Sequence, residues 1–229
     1  MPSKKASHYE PIPLTGVIKR SDSELISLSE NFLNKMKLRH TIRDFSKRDV
    51  PYEVIENCIR VAGLAPSGAN RQPWHFSIVS NPVVKLQIRN AAEREEKKFY
   101  NDIKKDAWLR ALEPFGTHAH KPHLEEAPWL IVAFAERYEK NSDGHKQKNY
   151  YVPESVGIAI GFLISAIHFT GLHCLIHTPS PMGFLAGICN RPASNKAVLL
   201  LAVGHPAENA TIPRAATIKK PLSKISSIF

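Results

Sequence analysis

Residues 65–80 read APSGANRQPWHFSIVS, a junction between a helix and a strand from which the rest of the chain can be laid out. Upstream, Val54, Ile55, Cys58, Ile59 and Ala62 recur at the spacing of one helical face, Pro51 suits a first helical turn, and Gly63 closes the pattern. Downstream, His75–Ser80 has the composition of a strand. Pro66, Ser67 and Gly68 therefore form a tight turn, whose small side chains let backbone N–H groups come close to a planar ligand. Taken alone, the turn is equally an ordinary connection in which Gln72, Pro73 and Trp74 simply pack.

Further strands are expected at Trp129–Ala135, His173–His177 and Ala197–Val203, and a first helix at Ser23–Lys37. Strands interleaved with helices give an α+β chain with a mixed sheet flanked by helices. Residues 153–171 (PESVGIAIGFLISAIHFTG) are apolar nearly all round for about a dozen residues, too few to span a bilayer. Such a helix belongs in a core or at a dimer interface. Residues 1–22 are polar, carry three prolines and form an N-terminal arm ahead of one domain over 23–229. Residues 209–229 lack periodicity and end in Ile225, Ile228 and Phe229, apolar groups that a partner subunit would cover.

The chain has 229 residues, 43% of them hydrophobic, enough for one sizeable core. Its formal charge of +10 attracts anions without choosing among nucleic acid, membrane and small molecules. Basic residues are scattered rather than interleaved with aromatics, which argues against a nucleic-acid module. Cys58, Cys174 and Cys189 follow no metal-ligand spacing and are expected as reduced core thiols, with no metal bound. With basic residues but no apolar segment behind its first residues, the chain is expected in the cytoplasm.

Two segments carry candidate chemistry. LRHTIRDFS (38–46) gathers Arg39, His40, Thr41 and Arg43 ahead of the Pro51 helix, combining charged and hydroxyl donors that suit a phosphate; a solvated basic turn would look the same. EEKKFY (95–100) sets Glu96 and Tyr100 four residues apart on one helical face, and Lys121 opens KPHLEEAPWLIVAF (121–134) just before a strand. One acid, one phenol and one ammonium suit a free amino acid: Glu96 for the α-ammonium, Lys121 and Tyr100 for the carboxylate. A charged solvent-facing helix is the competing reading of that run.

RHTIRDF followed about 25 residues later by PSGANRQPWHF resembles the nitroreductase superfamily, and E-x-x-x-Y, the lysine before the AP-strand, NYYVPESVGIAIGFL and HTPSPMGFL extend the likeness to the iodotyrosine deiodinases within it, over roughly residues 35–222. The resemblance implies an intertwined homodimer that encloses FMN at its interface, with the C-terminal tail exchanged onto the partner and residues 93–121 acting as a lid. It places Arg39, His40, Thr41 and Arg43 at the flavin phosphate and ribityl chain, Pro66, Ser67 and Gly68 beside the ring, and Thr178 at flavin N5. Lys219, standing before Lys-Pro-Leu where arginine is usual, would reach the phosphate. Ala69 would offer its N–H to a phenolate, while Glu96, Tyr100 and Lys121 hold the zwitterion of a halotyrosine. Departures are His40 where a second arginine is common, Ile176 and His177 in place of threonines, and no membrane anchor. The implied activity is FMN-dependent reductive dehalogenation by a protein that needs neither membrane nor nucleic acid. The other readings are a general FMN-dependent nitro or quinone reductase, and a basic anion- or nucleic-acid-binding protein without redox chemistry.

Overall fold

The computed structural model describes residues 9–229, apart from the side chain of Ile103, so the first eight residues of the expected arm lie outside the described part. The chain divides into two units, one ending at Lys37 and one covering Leu38–Phe229. The first contains α1 (Asp22–Lys37). Its start is a capping box: the Ser21 N–H donates to Glu24 Oε2 at 2.8 Å, and the Glu24 N–H donates back to Ser21 Oγ at 3.4 Å. No residue of α1 is buried.

The second unit runs α2 (Tyr52–Gly63), β1 (Trp74–Val79), α3 (Pro82–Tyr100), α4 (Asp106–Leu112), α5 (His123–Glu126), β2 (Trp129–Glu136), β3 (Tyr138–Lys140), β4 (Lys146–Lys148), α6 (Val152–Phe169), β5 (His173–His177), α7 (Phe184–Ile188) and β6 (Asn195–Gly204). Four strands make one sheet in the order β1-β2-β6-β5, and β3 and β4 pair as a separate hairpin. Every strand pairing is antiparallel. The mixed sheet expected from the sequence survives only as a parallel bridge between Thr41 and Cys174, which lays residues 39–43 along the β5 edge.

The central strands are buried on both faces, and the period of two decides which layer each side chain enters. On β2, Ile131, Ala133 and Ala135 join the cluster built on α2 and α6, with Ile55, Cys58, Ala62, Ile160, Leu163 and Ile167. Leu130, Val132 and Phe134 point the other way, into the cluster of Ile88 and Ala92 from α3, Leu124 from α5 and Leu185 from α7. Helices thus cover both faces of an antiparallel sheet. Gly204 ends β6 because a Cβ there would stand 2.6 Å from Pro128 Cδ.

α6 spans 18 residues with a mean hydropathy of 1.6, so by length and composition it could cross a bilayer, contrary to the expectation that it is too short. One of its faces, with Val156, Ala159, Ile160, Leu163 and Ile167, is packed on the sheet and α2. The opposite face is apolar and open, with Gly157, Ile158, Gly161 and Phe162 exposed. The tail is open as well: Ile225, Ile228 and Phe229 are all exposed.

Candidate active site

α3 begins at Asn81, whose side chain accepts from the N–H groups of Val83 and Val84, and Pro82 follows in the first turn. That start fixes the phase of the helix, and its last two turns bring Glu93, Glu96 and Tyr100 toward residues 117–123. Glu93 is the anchor. Its carboxylate accepts from the Lys121 backbone N–H at 2.8 Å and from Arg89 Nε at 2.9 Å, with His120 Nδ1 at 3.2 Å. Burial pushes the Glu93 carboxyl up, but the Lys121 N–H and the Arg89 guanidinium outweigh it and hold the acid below its usual range.

With its backbone tied down, Lys121 reaches Glu96 one turn further along α3. Nζ lies 3.1 Å from Glu96 Oε2, with only 8% and 12% of the two side chains exposed. Lys121 also sits 5.7 Å from the centroid of the Tyr100 ring. Burial lowers its pKa against the pull of Glu96 in the other direction. The Tyr100 hydroxyl donates to Thr117 Oγ1 at 2.7 Å, and burial raises its pKa.

Around these groups lies a chamber of about 270 Å³ whose wall includes Arg43, Glu96, Phe99, Tyr100, Lys121 and Thr178. Trp108 of α4 closes one side, meeting the Phe99 ring edge-on at 5.0 Å. The floor is formed by His123 and His177, two buried imidazoles in edge contact at 6.2 Å. Burial first, then the neighbouring Lys121 and Arg43, pushes each down to about 3, so both are neutral near pH 7. Volume and lining suit one aromatic ring with a charged end.

Arg43 therefore joins Glu96, Tyr100, Lys121 and Thr178 in one place, although they come from four separate stretches of chain. Arg39, His40 and Thr41 lie upstream of Arg43 on the strip beside β5, with Arg39 close enough to Cys174 and His173 to act on their titration. Burial lowers the pKa of the half-buried Arg43, which has no ion pair among the described residues. A row of donors that form no ion pair among the described residues fits a phosphate and the polar edge of a flavin.

The 66–69 turn does not line the chamber. It packs against the start of α6, where a Cβ on Gly68 would stand 2.9 Å from the Tyr151 ring, and the Gly68 N–H donates to Ser155 Oγ at 3.4 Å. Ser67 Oγ accepts from the Gln72 N–H, while Ala69 adopts a left-handed conformation with φ of 50°. The turn's own bonds use the N–H groups of Asn70, Arg71 and Gln72, leaving that of Ala69 unused. Lys219 stands on the exposed tail and donates to the Ala216 carbonyl at 2.7 Å, away from the chamber wall. In the sequence no motif marks Glu93, Thr117, Trp108 or His123 as functional, and His177 stands out only as a departure from the threonine pattern. The acids at positions 93 and 96, one turn apart, were the available signal for Glu93.

A two-faced antiparallel sheet with a donor strip along its edge and a chamber at the strip's end is the arrangement of a flavin oxidoreductase fold, and the chain belongs to the nitroreductase family, whose profile matches residues 36–205. Iodotyrosine deiodinase of Haliscomenobacter hydrossis is 53% identical over 190 residues, covering 83% of this chain and 86% of that protein. Iodotyrosine deiodinase of Hydra vulgaris is 39% identical over 210 residues, covering 91% and 76%. A crystal structure of oxidized iodotyrosine deiodinase bound to FMN and 3-iodo-L-tyrosine superposes with a TM-score of 0.67 at 34% identity, over 77% of this chain and 90% of that one.

Proposed function

We propose that this protein is an FMN-dependent oxidoreductase that removes halide reductively from halotyrosines. The observation that carries this reading is the convergence of Glu96, Tyr100 and Lys121 on one chamber with Arg43 and Thr178. A zwitterion can replace the resting ion pair charge for charge: its α-ammonium takes Glu96, and its carboxylate takes Lys121 and the Tyr100 hydroxyl. A phenol without the amino acid end leaves the buried pair intact and gains nothing from it.

The reaction consumes two electrons and one proton per carbon–halogen bond, releasing halide and tyrosine. FMN supplies the electrons when bound. Arg39, His40, Thr41, Arg43 and Lys219 would hold its phosphate and ribityl chain, and the Thr178 hydroxyl would lie at N5. The protein orients the phenol ring, and the segment 93–121, with Trp108 and Phe99, covers the chamber against water.

Three features support a homodimer with shared sites: the open apolar face of α6, the uncovered tail, and a 66–69 turn that stands apart from its own chamber. In a dimer the turn of a second copy brings the Pro66, Ser67, Gly68 and Ala69 backbone to the flavin and phenolate, and the tail with Lys219 crosses over. The cysteines Cys58, Cys174 and Cys189 are unpaired, which suits the cytoplasm, and nothing in the proposed chemistry calls for a membrane or nucleic acid.

The test is to purify the protein, identify its flavin, and follow flavin fluorescence on titration with iodotyrosine and with 2-iodophenol. Bound FMN and clear preference for iodotyrosine are expected. Equal binding of the two ligands would instead make the protein a general nitro or quinone reductase, and absence of flavin would leave only an anion-binding protein.

A further inference from the structure

His177 ends β5, immediately before Thr178, and only 7% of it is exposed. Among the described residues its Nε2 has no hydrogen-bond partner. Glu96 Oε1 lies 3.8 Å from it, just beyond hydrogen-bond range. Glu96 is thus bracketed, with Oε2 drawn to Lys121 at 3.1 Å and Oε1 facing the idle imidazole. His123, the other imidazole of the floor, offers no bond, since its own Nε2 is also unpartnered.

A buried polar nitrogen without a partner is destabilising, and a movement of Glu96 by less than about 1 Å would relieve it. In the resting site Lys121 opposes that movement. A bound zwitterion removes the opposition, because its carboxylate engages Lys121. We propose that His177 is a positioning residue for the ammonium half of the site: as Lys121 turns to the substrate carboxylate, the His177 Nε2–H takes Glu96 Oε1 and holds the acid toward the α-ammonium. The groups around His177 are Arg43, Lys121, His123 and Glu96, and among them it remains uncharged. Neutrality matters here: an imidazolium would compete with the α-ammonium for Glu96, whereas a neutral N–H aligns the carboxylate without opposing the ligand's charge.

The inference rests on the halotyrosine reading, and its test separates the two. Flavin-loaded wild type, H177L, H177N, H177Q, E96Q and E96Q/H177L are titrated with iodotyrosine and 2-iodophenol. H177L should bind iodotyrosine about five- to tenfold more weakly, the share of one hydrogen bond, while still loading flavin and losing 2-iodophenol affinity by a clearly smaller factor. H177N is too short to reach Glu96 and should behave alike. H177Q places an amide N–H near the lost Nε2 and should restore binding. In the E96Q background H177L should add little, since the two act through one bond. Normal iodotyrosine binding by H177L, equal weakening of both ligands, or loss of flavin from both H177L and H177N would overturn the proposal. If wild type itself fails to prefer iodotyrosine, the halotyrosine reading falls instead.

Discussion

Glu96 and Lys121 form an ion pair, 3.1 Å long and largely out of water, at the place where an amino acid ligand would need one acid and one base. Splitting such a pair with a neutral ligand leaves two buried charges uncompensated, a cost of several kcal/mol. A zwitterion avoids that cost, so the pair selects for amino acids before any contact with the ring is made. Glu96→Gln should weaken iodotyrosine binding by roughly tenfold to a hundredfold, the loss of one charge-assisted bond, while barely changing 2-iodophenol binding. Lys121→Met should act alike through the carboxylate, and Tyr100→Phe more mildly. Fluorescence titration of the flavin-loaded variants checks this, and parallel loss of both ligands would count against it.

Arg39 belongs to the donor strip, in which no side chain forms an ion pair among the described residues. Arg39→Ala should lower FMN affinity by roughly 1.5–3 kcal/mol, and Arg39→Lys by less, because an ammonium keeps charge but not the bidentate fork. Flavin content after gel filtration is the measurement. Full occupancy in the alanine variant would remove Arg39 from the cofactor site.

Thr178 borders the chamber but is itself exposed, so its hydroxyl can be removed without opening the core. Thr178→Ala should retain FMN and slow dehalogenation at least about tenfold while nitro reduction continues, as expected for a hydroxyl that favours one flavin reaction over another. Unchanged rates for both reactions would assign Thr178 a purely structural place at the end of β5.

His123 and His177 give the fold a definite acid sensitivity. Each is held near 3 when folded and returns to about 6.5 when unfolded, so the unfolded chain binds more protons between those values. The stability contributed is present above about pH 6.5 and is lost as pH falls toward 3, on the order of a few kcal/mol for the pair. Melting temperature measured from pH 7 to pH 4 should fall, and His123→Gln should flatten part of that fall. A melting curve indifferent to pH over this window would contradict the assignment.

The parts of the fold set by local pattern were legible in the sequence. The edges of α1 and α2 fall within a residue of those expected, and His173–His177 is β5. The all-antiparallel pairing was not legible, because central strands buried on both faces, such as Leu130–Phe134, carry the same continuous apolar run whichever way their neighbours point. The β3–β4 hairpin escaped because five of its six strand residues are charged or polar and exposed, with no apolar alternation to mark them. At the site, Glu96, Tyr100 and Lys121 could be grouped by spacing and resemblance, yet their resting state, acid on base and phenol on Thr117, depends on tertiary distance. His177 carried no signal of its own: only the register of β5 against β6 and the phase of α3 bring its Nε2 to Glu96.

Reductive dehalogenation is tested most directly by one anaerobic experiment. Flavin-loaded protein is reduced with dithionite, freed of excess reductant, and mixed with 3-iodotyrosine; tyrosine and iodide are then quantified against reoxidised flavin. One equivalent each of tyrosine and iodide per flavin is expected, with Glu96→Gln giving far less at the same substrate concentration. Reduced protein that leaves iodotyrosine intact while readily reducing a nitroarene would contradict the account.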